Sequence, residues 1–196
     1  MPDRVPHVAA VVLAAGASTR LGAAKQLVEF RGVPLVRRAA EAAIAADANP
    51  VIVVLGARAT EVAGALLDLA GVHLELNERW RDGLASSLVA GVSAATRLDA
   101  CCDGVLIIAA DQPLVDDVAL RLLMDAFRAG ARLVAAGYSG TIGCLRSWVA
   151  STSSRCRNSA EMPARGVGFG REAMSCGACR CQARQWTLTV PRISRG

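Results

Sequence analysis

The sequence predicts an α/β protein with a mostly parallel sheet. Two observations carry this reading. Short runs rich in Val, Ile and Leu alternate with segments of helical period through the first 143 residues, and such alternation builds βαβ units. The runs are apolar at successive positions rather than at every second one, as strands covered on both faces require. The chain has 196 residues, 53% of them hydrophobic, which suits one domain with an ample core.

Residues 7–13 form the first apolar strand and lead into a loop of small residues. Residues 34–46 read as a helix, with Leu35, Ala39, Ala42, Ala43 and Ala46 on one face. Residues 51–55 make a second buried strand closed by Gly56, and Thr60 is placed to cap a helix running to about residue 69. Residues 72–76 are a short strand, and residues 83–96 a helix of small side chains. Residues 104–110 form another buried strand, which stops at Asp111-Gln112-Pro113. Asp116 or Asp117 caps a helix reaching about Arg128, and residues 133–136 are a further strand.

The net charge of +5 conceals a division. Residues 1–143 hold 13 basic and 15 acidic side chains, a sum of −2, whereas residues 144–196 hold nine arginines against Glu161 and Glu172, a sum of +7. Cysteine divides likewise, with Cys101 and Cys102 before the boundary and Cys144, Cys156, Cys176, Cys179 and Cys181 after it. Residues 176–181, C-G-A-C-R-C, have the spacing of half a zinc site but no partner pair, and His7 and His73 lie in strands. The arginines of the tail have no interleaved aromatic residues and fit no nucleic-acid-binding module. No apolar run approaches the roughly 18 residues that span a membrane, and the N-terminal residues lack a leader profile. The expectation is a cytoplasmic protein without a nucleic-acid or membrane partner. Its core occupies residues 1–143, and a basic, poorly ordered tail occupies residues 144–196.

Polar residues collect where strands end. After the first strand the chain reads L-A-A-G-A-S-T-R-L-G-A-A-K, residues 13–25. Small residues let the backbone turn sharply there, and N–H groups in such a turn cradle phosphate oxygens. Arg20 and Lys25 add positive charge beside that cradle, and Lys25 is the only lysine among 22 basic residues. Gln26 follows the lysine, so the stretch is not a G-x-x-x-x-G-K-[ST] loop. Asp111 reads either as a carboxylate for Mg²⁺, which takes one or two carboxylates plus substrate phosphates, or as a turn former. Asn77 and Ser87 read either as partners of a base or ribose or as turn and cap residues. Trp80 is either a loop anchor or a substrate wall. In parallel sheets ligands bind beyond the carboxyl ends of the strands, and the loop after Leu13, Asn77 and Asp111 all fall at such ends.

These motifs together resemble the MobA-like nucleotidyltransferases and, among them, the molybdenum cofactor cytidylyltransferases. The loop of residues 13–25 matches L-A-A-G-x-S-x-R-[ML]-G-x-x-K, residues 32–35 match G-x-P-L, and residues 51–56 match V-x-V-V-x-G. Asn77, Trp80, Gly83, Ser87 and Leu88 match N-x-x-W-x-x-G-x-x-x-S-L, residues 111–113 match D-Q-P, and Tyr138, Gly140 and Gly143 match Y-x-G-x-x-G. Ala15 favours the cytidylyl branch, since guanylyl-transferring relatives usually carry glycine there. The resemblance implies a Rossmann-like three-layer fold, disrupted in its C-terminal part. It also implies transfer of CMP from CTP to a molybdopterin-type cofactor with release of pyrophosphate. In this reading Leu13, Ala14, Ala15, Gly16, Ser18 and Gly22 hold the triphosphate. Arg20 and Lys25 stabilise charge on the transferring and leaving phosphates, Asp111 binds Mg²⁺, and Asn77 and Ser87 fix the nucleoside. A molybdoenzyme or its chaperone would be the further partner. GTP-dependent guanylyl transfer, sugar-phosphate nucleotidyl transfer and a non-catalytic nucleotide-binding or decayed accessory protein are the alternatives.

Past Gly143 the family's V-P-x-L-F, G-D-x-G-A-R and D-I-D-T-P-E-D are missing. A single lost base at the Gly143–Cys144 junction accounts for this. Trp186 must end in G and Thr187 must begin with AC, so the restored codon is GAC, aspartate. With permitted codons the seven restored codons that begin in residues 186–192 can read D-I-D-C-P-E-D, residues 161–165 allow D-A-G-A, and residues 144–145 allow V-P. The same shift explains the lost acids, surplus arginine and unpaired cysteines. It predicts impaired activity for the chain as written.

Overall fold

A computed structural model describes residues 4–18, 24–131, 133–138, 141–142, 148–151 and 186–189. In chain order the elements are β1 (Val8–Leu13), a 3-10 turn (Lys25–Leu27), β2 (Glu29–Phe30), β3 (Val33–Pro34), α1 (Leu35–Ala45), β4 (Val51–Leu55) and α2 (Ala59–Gly64). There follow β5 (Val72–Leu76), a 3-10 turn (Trp80–Asp82), α3 (Leu84–Leu98), β6 (Gly104–Ala109), α4 (Asp117–Arg128) and β7 (Leu133–Tyr138). Short strands β8 (Thr141–Ile142), β9 (Trp148–Ser151) and β10 (Trp186–Thr189) complete the set among the described residues.

The main sheet runs β10-β7-β9-β6-β1-β4-β5, with β8 beside β7. Strands β6, β1, β4 and β5 are parallel; β9 lies antiparallel between β6 and β7. The central strands are buried on both faces, which is why they read as continuous apolar runs. Val8, Ala10 and Val12 of β1 join a core with α1, α2 and α4, whereas Ala9 and Val11 face Ala94 and Ala95 of α3. The result is three layers: α1, α2 and α4, then the sheet, then α3.

Local chemistry explains most boundaries. The Asp116 carboxylate accepts from the N–H of Ala119 at 2.9 Å and starts α4. Helix α2 stops at Gly64, short of the expected residue 69, because glycine propagates a helix poorly. Beyond it Leu67 is 83% exposed and contributes no core face. The hairpin β2–β3 turns through Arg31 and Gly32, both at positive φ; its two-residue strands are too short for the period-two pattern that marks a strand. The tail expected over residues 144–196 falls mostly outside the described residues; its described parts are β9 and β10, which pair in the sheet.

Candidate functional site

The parallel strands end at one edge, in register. Leu13 of β1 lies opposite Val54 of β4 and Ala109 of β6. The N–H of Ala14 donates to Val54 O, that of Ala110 to Leu13 O, and that of Asn77 to Leu55 O. Since β1 has β4 on one side and β6 on the other, successive crossovers leave it in opposite directions. A crevice opens where that happens. A cavity of about 420 Å³ lies there. The loop after β1 supplies Ala15, Gly16, Ala17 and Ser18, the next turn Lys25 and Gln26, and the end of β6 Ala109, Ala110 and Asp111. Trp80, Arg81, Gly83, Leu84 and Ser87 close the opposite wall, at the start of α3.

Gln26 organises the loop. It is 5% exposed. Its amide nitrogen donates to Ala14 O at 2.8 Å and to Gly16 O at 2.6 Å. Its oxygen accepts from the Ser18 hydroxyl at 3.3 Å, and that hydroxyl accepts from the N–H of Lys25 at 3.0 Å. Ser18 sits at φ +53°, the left-handed region that bulkier residues avoid. The circuit thus holds a tight turn and carries Lys25 to the cavity. Gly56, after β4, supports the same loop. A Cβ there would lie 2.5 Å from Ala15 O, so only glycine permits this approach.

The opposite wall has its own circuit. Asn77 is 6% exposed and Ser87 5%. The Asn77 amide donates to Ser86 Oγ at 2.9 Å and to Ser87 Oγ at 3.0 Å, while its oxygen accepts from the N–H of Arg79 at 3.0 Å. Gly83, at φ +98°, then reverses the chain into α3. The turn so fixed presents Trp80 with the Arg81 guanidinium 4.3 Å from its ring centroid. Asn77 therefore frames the turn from beneath, and Ser87 both anchors it and lines the cavity.

Of the residues expected from the sequence, Leu13, Ala15, Gly16, Ser18, Lys25, Ser87 and Asp111 line the cavity together. Ala14 lies behind it, 3% exposed. Arg20 and Gly22 lie outside the described residues. Gln26 and Arg81 were not foreseen. Gln26 acts on atoms ten and twelve residues away, a relation with no local pattern, and Arg81 gains meaning only beside Trp80.

Asp111 is the only carboxylate lining the cavity among the described residues, and no group of three or more His, Cys, Asp or Glu there could hold a metal alone. One exposed carboxylate, with the remaining oxygens coming from a substrate's phosphates, is a donor set that suits Mg²⁺. Cys102 is not a candidate nucleophile. It is buried under the α3 layer, donates to Gly104 O, and burial pushes its thiol above the usual range. Among the described residues no helix is long and apolar enough to cross a membrane.

Comparison with known proteins agrees with this architecture. Nicotine blue oxidoreductase of Paenarthrobacter nicotinovorans is 36% identical over 136 residues, which cover 69% of this chain and 64% of that protein. The crystal structure of Rv0371c from Mycobacterium tuberculosis superposes with a TM-score of 0.70 at 24% identity, covering 95% of this chain and 89% of that one. Its manganese complex superposes at 0.59 with 26% identity over 76% and 73%. A nucleotidyl transferase from Methanothermobacter thermautotroptrophicus gives 0.62 at 28% identity over 74% and 71%. Residues 10–171 match the MobA-like NTP transferase domain, and the chain belongs to that family.

Proposed function

We propose that the protein transfers CMP from CTP to the phosphate of a molybdopterin-type cofactor and releases pyrophosphate. The observation that carries this reading is the convergence of three groups on one 420 Å³ cavity: a small-residue loop, a lysine, and a carboxylate. Loop N–H groups bind the triphosphate, and the Lys25 ammonium stabilises charge on the leaving phosphates. The Ser87 wall, braced by Asn77, orients the nucleoside. Asp111 would hold Mg²⁺, which when bound neutralises charge on the triphosphate. The acceptor phosphate attacks the α-phosphorus in line, so the residues act mainly by positioning and charge. Arg20 is assigned the same charge-stabilising role as Lys25, and Gly22 a place in the triphosphate cradle. Ala15 supports CTP over GTP.

The test is pyrophosphate release with Mg²⁺ and the acceptor, CTP against GTP. In the enzyme with the lost base restored, turnover with CTP is expected, and Lys25→Ala should lower it by about 10²–10³-fold, the scale of one lost charge-stabilising donor. Unchanged turnover in the variant would remove Lys25 from the mechanism. A second reading, oxidoreductase chemistry, is favoured by the likeness to nicotine blue oxidoreductase. Conversion of nicotine blue, with a two-electron donor or acceptor supplied in the assay and without pyrophosphate release, would carry it. We also propose that residues 144–196 are read out of frame and that the missing second metal carboxylate limits the chain's activity.

A further inference from the structure

We infer that Gln26 is the positioning residue that turns the loop's N–H groups toward a bound polyphosphate. This rests on the reading of the loop as a triphosphate site. The two Gln26 amide hydrogens are taken by Ala14 O and Gly16 O. A peptide group is planar and trans, so its C=O and the N–H that follows point in opposite directions. Pulling the carbonyls of Ala14 and Gly16 down onto Gln26 therefore turns the N–H groups of Ala15 and Ala17 the other way. Gln26 is 5% exposed and forms the floor, whereas Gly16 is exposed above it and Ala15, Ala17 and Ser18 line the cavity. Those N–H groups thus face an anion in the cavity, with Lys25 brought alongside through the Ser18 hydroxyl.

The side chain is specific for this task. Glutamate has nearly the same shape but no donor for either carbonyl, and it sets a negative charge beneath the anion. Leucine removes the donors without adding charge. Neither variant touches the cavity's other wall.

The experiment measures binding of inorganic tripolyphosphate to the wild-type chain, Gln26→Glu and Gln26→Leu by calorimetry, with melting midpoints recorded beside it. The expected result is about tenfold weaker binding or more in Gln26→Leu and a larger loss in Gln26→Glu. In the wild-type chain, amide resonances of Ala15 and Ala17 should shift as tripolyphosphate saturates the site; a merely structural glutamine predicts no such signature. Undiminished binding in a folded Gln26→Glu variant overturns the inference. So do Ala15 and Ala17 resonances that stay fixed while others move, a result that stands even if both variants unfold. Failure of the wild-type chain to bind tripolyphosphate overturns the triphosphate reading itself, and this inference with it.

Discussion

At the scale of the residue, the site depends on two buried amides of opposite fortune in the sequence. Asn77 stood in a motif and drew attention, but its side chain is spent on protein partners: Ser86, Ser87 and the N–H of Arg79. Gln26 merely followed the lysine, yet it binds the loop together. A buried polar group stripped of its partner costs about 1–3 kcal/mol. Asn77→Ala should therefore lower unfolding free energy by about that amount, measured by urea titration, and loosen the Trp80 turn. A stability change within about 0.5 kcal/mol would show that the network is dispensable. Residue type and spacing revealed which positions matter around the cavity. They did not reveal which side chains touch a ligand and which hold the ones that do, because that depends on contacts between distant segments.

At the scale of the element, helix α3 carries one wall of the cavity and must lie close against β1 and β4. Gly91 makes this possible. A Cβ there would collide with Val11 Cγ1 and lie 3.0 Å from Val54 Cγ2. Gly91→Val should force α3 outward, destabilise the fold by about 1–3 kcal/mol and disturb Ser87, four residues back along the same helix. A thermal midpoint equal to wild type would contradict this packing. The strands were legible almost to the residue because burial on both faces leaves continuous apolar runs, as in Val51–Leu55 and Gly104–Ala109. Hairpin β2–β3 was not, since two-residue strands carry no period. Helix α2 was overextended because the apolar residues after Gly64 kept a helical spacing that the backbone does not follow.

At the scale of the whole molecule, the described core already brings β1, β4, β5 and β6 to one edge and assembles a cavity there. What that edge lacks, among the described residues lining the cavity, is a second carboxylate beside Asp111. A triphosphate brings several negative charges, and a divalent ion held by one carboxylate and those phosphates is held less firmly than one held by two. The proposed lost base bears on this deficit directly, because the restored codon spanning Trp186 and Thr187 encodes aspartate. In the chain as written the segment concerned, β10 (Trp186–Thr189), pairs in parallel with β7, and β7 and β9 separate it from β6 and Asp111. We predict that resequencing across the codons for Gly143 and Cys144 finds one more base. We also predict that the frame-restored protein releases pyrophosphate from CTP at a half-saturating Mg²⁺ concentration about tenfold or more below that of the 196-residue chain, the factor for one charge-assisted ligand. Identical Mg²⁺ dependence in the two proteins would mean that Asp111 and the substrate's own phosphates suffice. In that case the altered tail would cost the site nothing; resequencing that finds no further base would instead leave the surplus of arginine after Gly143 to another cause.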